Sequence, residues 1–158
     1  MTRATRGGRQ TLIVGYGNSW MGDDGAGPAV VDRLSRVGAI EAQQLAGRLR
    51  LLTFLQLLPE LAIDIAAVER VVLIDAAIDR SPGVVSLRRV APTCSAPSLG
   101  HRWSPGALAS LALSMQGRCA RICIYTIGGE SFEPSRSLSP RVEQAVARLA
   151  ARLATRLT

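Results

Sequence analysis

The sequence predicts an α/β protein in which a mostly parallel, five-stranded sheet lies between helices. Two features support this fold class. Short apolar runs, such as residues 71–74, have the continuous hydrophobicity of strands that are buried on both faces. These runs alternate with segments whose apolar residues recur at helical spacing. A chain of 158 residues, 47% of them hydrophobic, is long enough to form one domain with its own core.

The amino-terminal half is predicted to alternate between strand and helix. An apolar run predicts a first strand at residues 11–14, and a helix follows at 26–36 with Ala29, Val30 and Leu34 on one face. A second strand is expected at 48–55 and a second helix at 59–68, where Pro59 occupies a position at which a missing amide costs little. A run of Val-Val-Leu-Ile followed by Asp75 predicts the third strand at 70–75. The segment between the first helix and the second strand receives no assignment.

The carboxyl-terminal half continues the alternation. A Pro-Gly turn at residues 82–83 leads into a fourth strand at 84–89, and the Pro-, Ser- and Gly-rich stretch 91–105 is predicted to be a loop. A third helix is expected at 105–115 with Ser104 as its N-cap, and a fifth strand at 121–127. Ser139, followed by Glu143, is expected to open the last helix at 140–157. That helix carries an apolar stripe made of Val142, Ala145, Val146, Leu149 and Leu153.

Charge and hydropathy exclude several function classes. The formal net charge is +7, but the 19 basic residues, all arginine, are scattered except in residues 1–10, and aromatic residues for base stacking are few. We therefore expect no nucleic-acid partner, although attraction to an acidic protein stays open. No apolar run reaches the roughly 18 residues of a membrane span, and residues 1–10 lack the apolar core of a secretory signal. The expected protein is a cytoplasmic monomer with a flexible basic arm at 1–10 and one domain at 11–158.

The three cysteines do not form a disulfide framework or a common zinc motif. They are Cys94, Cys119 and Cys123, and the four-residue spacing of the last two matches no frequent metal-binding pattern. If both lay in the fifth strand they would share a face. We interpret all three as small, buried apolar residues.

The chemistry of the chain is concentrated in residues 15–27, between the first strand and the first helix. This block contains five glycines and the adjacent carboxylates Asp23 and Asp24. Glycine permits backbone conformations and close approaches that other residues do not. The first two glycines form a Gly-x-Gly pattern, but the third glycine of a dinucleotide fingerprint is out of register. Two carboxylates repel phosphate and attract cations, so the block indicates a metal or a positively charged partner more strongly than a nucleotide.

Ligands of open α/β sheets gather beyond the carboxyl ends of the strands. That rule selects the glycine-rich block, Asp75 after the third strand, the loop with the only histidine, His101, and Gly129 with Glu130 after the fifth strand. Asp24, Asp75 and His101 then offer the oxygen and nitrogen donors of a divalent transition-metal site such as nickel or zinc. The alternatives are plainer: a helix cap for one of the paired aspartates, favoured for Asp23, a turn cap for Asp75, and a surface position for His101.

These residues resemble the hydrogenase maturation proteases, which trim the carboxyl-terminal extension of the large subunit of nickel–iron hydrogenases. The likeness covers nearly all of residues 12–157. Its most distinctive part is the block Gly15-x-Gly17-Asn18 followed by Gly22-Asp23-Asp24-Gly25-x-Gly27. Further matching motifs are Gln56-Leu57-Leu58-Pro59-Glu60-Leu61, Val71-Val72-Leu73-Ile74-Asp75-Ala76, His101-x-x-Ser104-Pro105, Gly128-Gly129-Glu130-x-Phe132-Glu133 and Leu138-Ser139-Pro140-x-Val142.

The resemblance implies a three-layer sandwich around a twisted, five-stranded sheet. It also implies an aspartate-dependent endopeptidase whose catalytic and metal-contacting residues are Asp24, Asp75 and His101. The metal is nickel already installed in the hydrogenase large-subunit precursor, so cleavage would follow nickel insertion; in isolation the site could take another divalent metal. This sequence departs from the family pattern at Gly129, where members of the family often carry a less flexible residue.

The mechanism and three alternative functions stay open at the level of sequence. Either a metal polarises the scissile carbonyl or activates a water, or Asp24 or Asp75 acts as general base. A serine mechanism is not favoured, because no nucleophile-elbow motif surrounds Ser104. The alternatives are a non-catalytic metal-binding or chaperone-like relative, a nucleotide-binding Rossmann-like module, and nucleic-acid binding through the basic arm.

Overall fold

The structure, a computed structural model, describes residues 10–93 and 103–158. One sheet contains five strands: β1 (Thr11–Tyr16), β2 (Leu49–Phe54), β3 (Arg70–Ala77), β4 (Val85–Val90) and β5 (Arg121–Gly128). The helices are α1 (Ala26–Ser35), α2 (Gly38–Leu45), α3 (Leu61–Ala67), α4 (Pro105–Gln116) and α5 (Pro140–Leu157). A single 3₁₀ turn, Gly22–Gly25, precedes α1.

The strand order is β2-β1-β3-β5-β4, and every pairing is parallel except that of β4 with β5. The chain leaves β1 towards β2 on one side and later returns to place β3 on the other side of β1. Strand order therefore reverses at β1, and such a reversal opens a crevice beyond the carboxyl ends of the two strands that flank it. The predicted fold class is confirmed, and its crevice lies between the ends of β1 and β3.

Two hydrophobic clusters cover the two faces of the sheet. Helices α1, α2 and α5 pack on the face that includes Ile13 and Ile74, and α3 and α4 pack on the face that includes Leu12 and Leu73. Because side chains alternate along a strand, each central strand contributes to both clusters. This double burial accounts for the unbroken apolar runs in the sequence. Within the described residues, no helix is long and apolar enough to cross a membrane.

Most predicted elements are confirmed within a few residues, and two differ for clear reasons. Helix α2 has no counterpart in the prediction, because it buries only Ile40 and so lacks a repeating apolar stripe. Helix α3 begins at Leu61 rather than Pro59, since Pro59 and Glu60 form a tight turn in which the Leu61 amide donates to the Leu58 carbonyl at 3.1 Å. Helix α5 has its predicted bounds and buries its predicted stripe.

Of the two predicted helix caps one is confirmed, and the two described cysteines lie on different faces of the sheet. The Ser104 hydroxyl accepts a hydrogen bond from the Ala107 amide at 3.1 Å, as its predicted N-cap role requires, whereas the Ser139 side chain makes no cap bond. Cys119 lies before β5 and packs with the α3/α4 cluster, while Cys123 faces the opposite cluster. The two cysteines therefore do not share a face, and both are free and half-buried. Cys94 and the arm residues 1–9 lie outside the described part of the chain.

Candidate active site

The glycine-rich block folds back on the end of β1. Gly17 follows β1 directly and has φ of 137°, a conformation that residues with a side chain rarely adopt. A Cβ atom built on Gly17 would lie 1.9 Å from the carbonyl oxygen of Asp24. Only glycine therefore allows the turn that brings Asp24 against β1. The space left by the missing side chain of Gly17 is thus filled by the protein's own backbone and is not open to a ligand.

Asp24 and Asp75 lie on the same crevice. The Asp24 carboxylate accepts a hydrogen bond from the Asn18 amide at 2.6 Å, and the Asp75 carboxylate, near the end of β3, accepts one from the Ala76 amide at 2.8 Å. Both side chains line a cavity of about 840 Å³. Both also line an adjoining cavity of about 240 Å³, whose wall includes Trp103. The two carboxylates thus face one space, while their catalytic and metal-binding roles stay predictions.

His101, the third predicted site residue, lies outside the described residues. Trp103 and Pro105, which follow it in the sequence, line the smaller cavity together with Asp24 and Asp75. In the ranges 10–93 and 103–158, no group of three His, Cys, Asp or Glu side chains is arranged to hold a metal ion. Of the three predicted ligands, Asp24 and Asp75 are the two that lie within the described residues.

Tyr16 is a site residue that the sequence interpretation missed. Its hydroxyl donates a hydrogen bond to the Asp75 carboxylate, and Tyr16 lines the smaller cavity. Burial, then the negative charge of Asp75 and the hydrogen bond to it, hold the pKa of Tyr16 far above its usual value, and Arg88 opposes this only in part. The phenol is therefore a constant donor. The alternation of side chains along the strands could have placed Tyr16 at the site. Tyr16 is on the face of β1 that carries Leu12 and Val14, and Asp75 is on the same face of the sheet, two residues after Leu73.

Asp23 does not cap helix α1, contrary to the sequence interpretation. Its side chain is 0% exposed, and its carboxylate accepts backbone hydrogen bonds from Glu130 at 2.8 Å, Ser131 at 2.9 Å and Ser139 at 2.7 Å. Burial raises the pKa of Asp23, but the hydrogen bonds from Ser131, Ser139 and Glu130 outweigh it, so the pKa lies below its usual value. Asp23 is a structural anion that fixes the segment after β5.

That segment, residues 129–139, forms one wall of the site. Met21 and Ser135 pair as an isolated parallel bridge, and the Arg136 guanidinium stacks 4.1 Å from the centre of the Trp20 ring. The Phe132 ring lines the larger cavity and lies where a side chain at Gly129 would project, 2.4 Å from the built Cβ. Glycine at 129 is thus explained by the packing of Phe132. Through Asp23, the glycine-rich block holds this wall against the carboxylates.

Solved structures with a similar fold include proteins named hydrogenase maturation proteases. The [NiFe] hydrogenase maturation protease HycI of Thermococcus kodakarensis superposes with a TM-score of 0.73 at 21% identity, over 96% of this chain and 94% of that one. A hydrogenase 2 maturation peptidase from a Thaumarchaeota archaeon gives 0.65 at 24% identity, over 94% and 97%. The hydrogenase maturating endopeptidase HybD of E. coli gives 0.65 at 22% identity, over 91% and 89%. The chain has the fold of the hydrogenase maturation proteases.

This chain covers between 89% and 97% of the length of each of these structures, so the hydrogenase maturation protease fold is matched along almost all of its length. The predicted resemblance is therefore confirmed at the level of the fold. No protein-family model matches the sequence, and no curated protein is significantly similar to it. The activity consequently has to be argued from the site.

Proposed function

We propose that the protein is an endopeptidase that removes the carboxyl-terminal extension of a nickel–iron hydrogenase large-subunit precursor after nickel insertion. The observation that carries the proposal is the pair Asp24 and Asp75, which line the same two cavities at the strand-order reversal. Neighbours in fold that are named maturation proteases support the choice of reaction. The precursor, with its nickel, is the substrate.

The two carboxylates have different roles in this proposal. Asp75 receives hydrogen bonds from the Tyr16 hydroxyl and the Ala76 amide, which fix its orientation. A fixed carboxylate is suited to contact a cation in the substrate, and oxygen donors of this kind accept divalent metals. Asp24 receives one hydrogen bond, from Asn18, on a single oxygen. Its second oxygen is assigned to take a proton from the water that attacks the scissile carbonyl.

His101 completes the proposed contact with nickel. Trp103, two residues further along the chain, lines the cavity that contains both carboxylates, which is the support for including a histidine from the preceding segment. An imidazole and two carboxylates form a donor set that suits nickel or zinc. The nickel bound in the precursor would supply charge that favours attack on the nearby carbonyl.

The rim of the site is suited to a polypeptide substrate. Ile78 is 80% exposed and Leu55 is 71% exposed, and both line the larger cavity together with Leu58 and Phe132. Large apolar side chains grouped at a crevice mark interaction surfaces more often than scattered ones do. We assign this rim to the precursor segment around the scissile bond.

The test is cleavage of a nickel-loaded large-subunit precursor from the same organism, followed by gel mobility. We expect Asp24→Asn and Asp75→Asn each to lower the rate by about 100-fold or more, the range for loss of a general base or a charge-stabilising group. Asp32→Asn is the matched control, because Asp32 is exposed on α1 and its ion pair among the described residues is with Arg36. Wild-type protein that binds the precursor without cutting it would overturn the endopeptidase and favour a non-catalytic metal-binding relative.

A further inference from the structure

A further cavity, of about 610 Å³, lies at the end of the sheet opposite to the candidate active site. Four arginines line it. Arg70 and Arg121 are the first residues of β3 and β5, Arg89 is near the end of the antiparallel β4, and Arg156 is in the last turn of α5. We call this the arginine cavity. Nothing in the proposed peptidase chemistry uses it.

The strand register explains why arginines that are scattered in the sequence meet here. Arg70 and Arg121 are directly opposite each other in the parallel pair of β3 and β5. Arg89 is opposite Cys123, which lies two residues after Arg121 and therefore on the same face of the sheet. Helix α5 packs on that face and brings its last turn to the same edge. Three strands and one helix thus converge on a single positive site.

No ion pair among the described residues balances this cluster of charge. Like charges directly opposite on neighbouring strands destabilise a sheet. No carboxylate lines the arginine cavity. In the described part of the chain, the ion pairs join Asp32, Asp64 and Glu143 to other arginines, and none involves these four. An uncompensated group of four arginines is the arrangement expected of a site whose partner supplies the negative charge.

The shape of the cavity favours one class of anion. On the face of the sheet that carries the arginines, the lining includes the apolar residues Val72, Leu87 and Leu157, and Leu87 is 51% exposed. Sites for single-stranded nucleic acid combine basic residues with aromatic side chains on which bases stack, and the aromatic ring here, Tyr125, is only 4% exposed. A polypeptide can offer apolar side chains and carboxylates together, and arginine binds carboxylates in a two-pronged manner.

We propose that the arginine cavity binds an acidic segment of a partner polypeptide. Carboxylates of the segment contact Arg70, Arg89, Arg121 and Arg156, and its apolar side chains lie on the floor between them. This proposal is independent of the peptidase activity, because the cavity and the candidate active site lie at opposite ends of the strands.

The probe is a fluorescein-labelled hexapeptide of alternating glutamate and leucine, followed by fluorescence anisotropy at low salt. The test variant is Arg70→Gln with Arg121→Gln, and the control is Arg148→Gln with Arg152→Gln, which removes the same charge from exposed positions on α5. We expect the test variant to weaken binding at least tenfold and the control less than twofold. A glutamine-for-glutamate version of the peptide should not bind.

Several results would overturn the proposal. Equal losses in the two double variants would show that only net charge matters. Unchanged binding by the test variant would place the peptide elsewhere on the protein. Tighter binding of a single-stranded oligonucleotide than of the peptide at this cavity would assign the cavity to nucleic acid. Folding is a separate check: without ligand, Arg70→Gln should melt no lower than the wild type, because it removes a like-charge pair. A lower melting temperature would instead give Arg70 a structural role.

Discussion

Replacing Asp23 by asparagine tests whether this buried carboxylate holds the wall of the site. Its two oxygens accept three backbone hydrogen bonds, and the side chain is fully buried. The asparagine oxygen can keep the bonds from Glu130 and Ser131, but its amino group must then face the Ser139 amide. The variant loses one charge-assisted hydrogen bond, worth about 1.5–3 kcal/mol. The amino group of the asparagine and the Ser139 amide then face each other as unsatisfied donors, which costs about 1–3 kcal/mol more. Because the neutral side chain is easier to bury, we expect a net loss of about 3 kcal/mol.

The assay is urea unfolding at pH 7, and then at decreasing pH. Since the folded-state pKa of Asp23 lies below its unfolded value of 3.8, its contribution is present above that value and is lost as pH falls through the folded pKa. The difference between wild type and Asp23→Asn should therefore shrink in acid. Asp32→Asn serves as the exposed control. A difference under about 0.5 kcal/mol at pH 7, the range of ordinary surface changes, or one that does not change in acid, would refute this account of Asp23.

Three other substitutions probe the site and its scaffold. Gly17→Ala should cost at least about 2 kcal/mol and abolish precursor cleavage, since its Cβ would meet the Asp24 carbonyl at a positive φ; a melting temperature within 2 °C of wild type would contradict this. Tyr16→Phe should lower kcat about tenfold with little change in KM, because it frees the Asp75 carboxylate without removing it. A raised KM with unchanged kcat would instead assign Tyr16 to binding. Ser104→Ala should destabilise the fold by about 1 kcal/mol in urea, and no change would mean that its cap bond contributes nothing.

The strands were predictable because burial on both faces leaves a direct signature. Residues 71–74 contribute to the two clusters in alternation, so no polar residue interrupts the run. Helix α5 was predictable to the residue for a related reason, since its one buried stripe repeats over 18 residues. Helix α2 shows the limit: Ile40 is its only buried residue, so its sequence carries no repeating apolar stripe from which a helix could be predicted.

The site was partly predictable for equally physical reasons. Asp24 and Asp75 could be placed on one crevice because parallel strands end at the same edge. The role of Asp23 could not be predicted, because its three hydrogen-bond partners lie in residues 130–139, more than 100 positions away in the sequence. The arginine cavity was missed similarly, since the sequence shows scattered arginines and only the register of β3, β4 and β5 brings them together.

The most direct test of the proposed function is intact mass spectrometry of a large-subunit precursor incubated with the protein. We predict a single cut that removes the carboxyl-terminal extension from the nickel-loaded precursor. The nickel-free precursor should stay intact, as should the loaded precursor incubated with the Asp24→Asn variant. Cleavage of loaded and nickel-free precursor alike, or full cleavage by Asp24→Asn, would contradict a nickel-gated, aspartate-dependent endopeptidase.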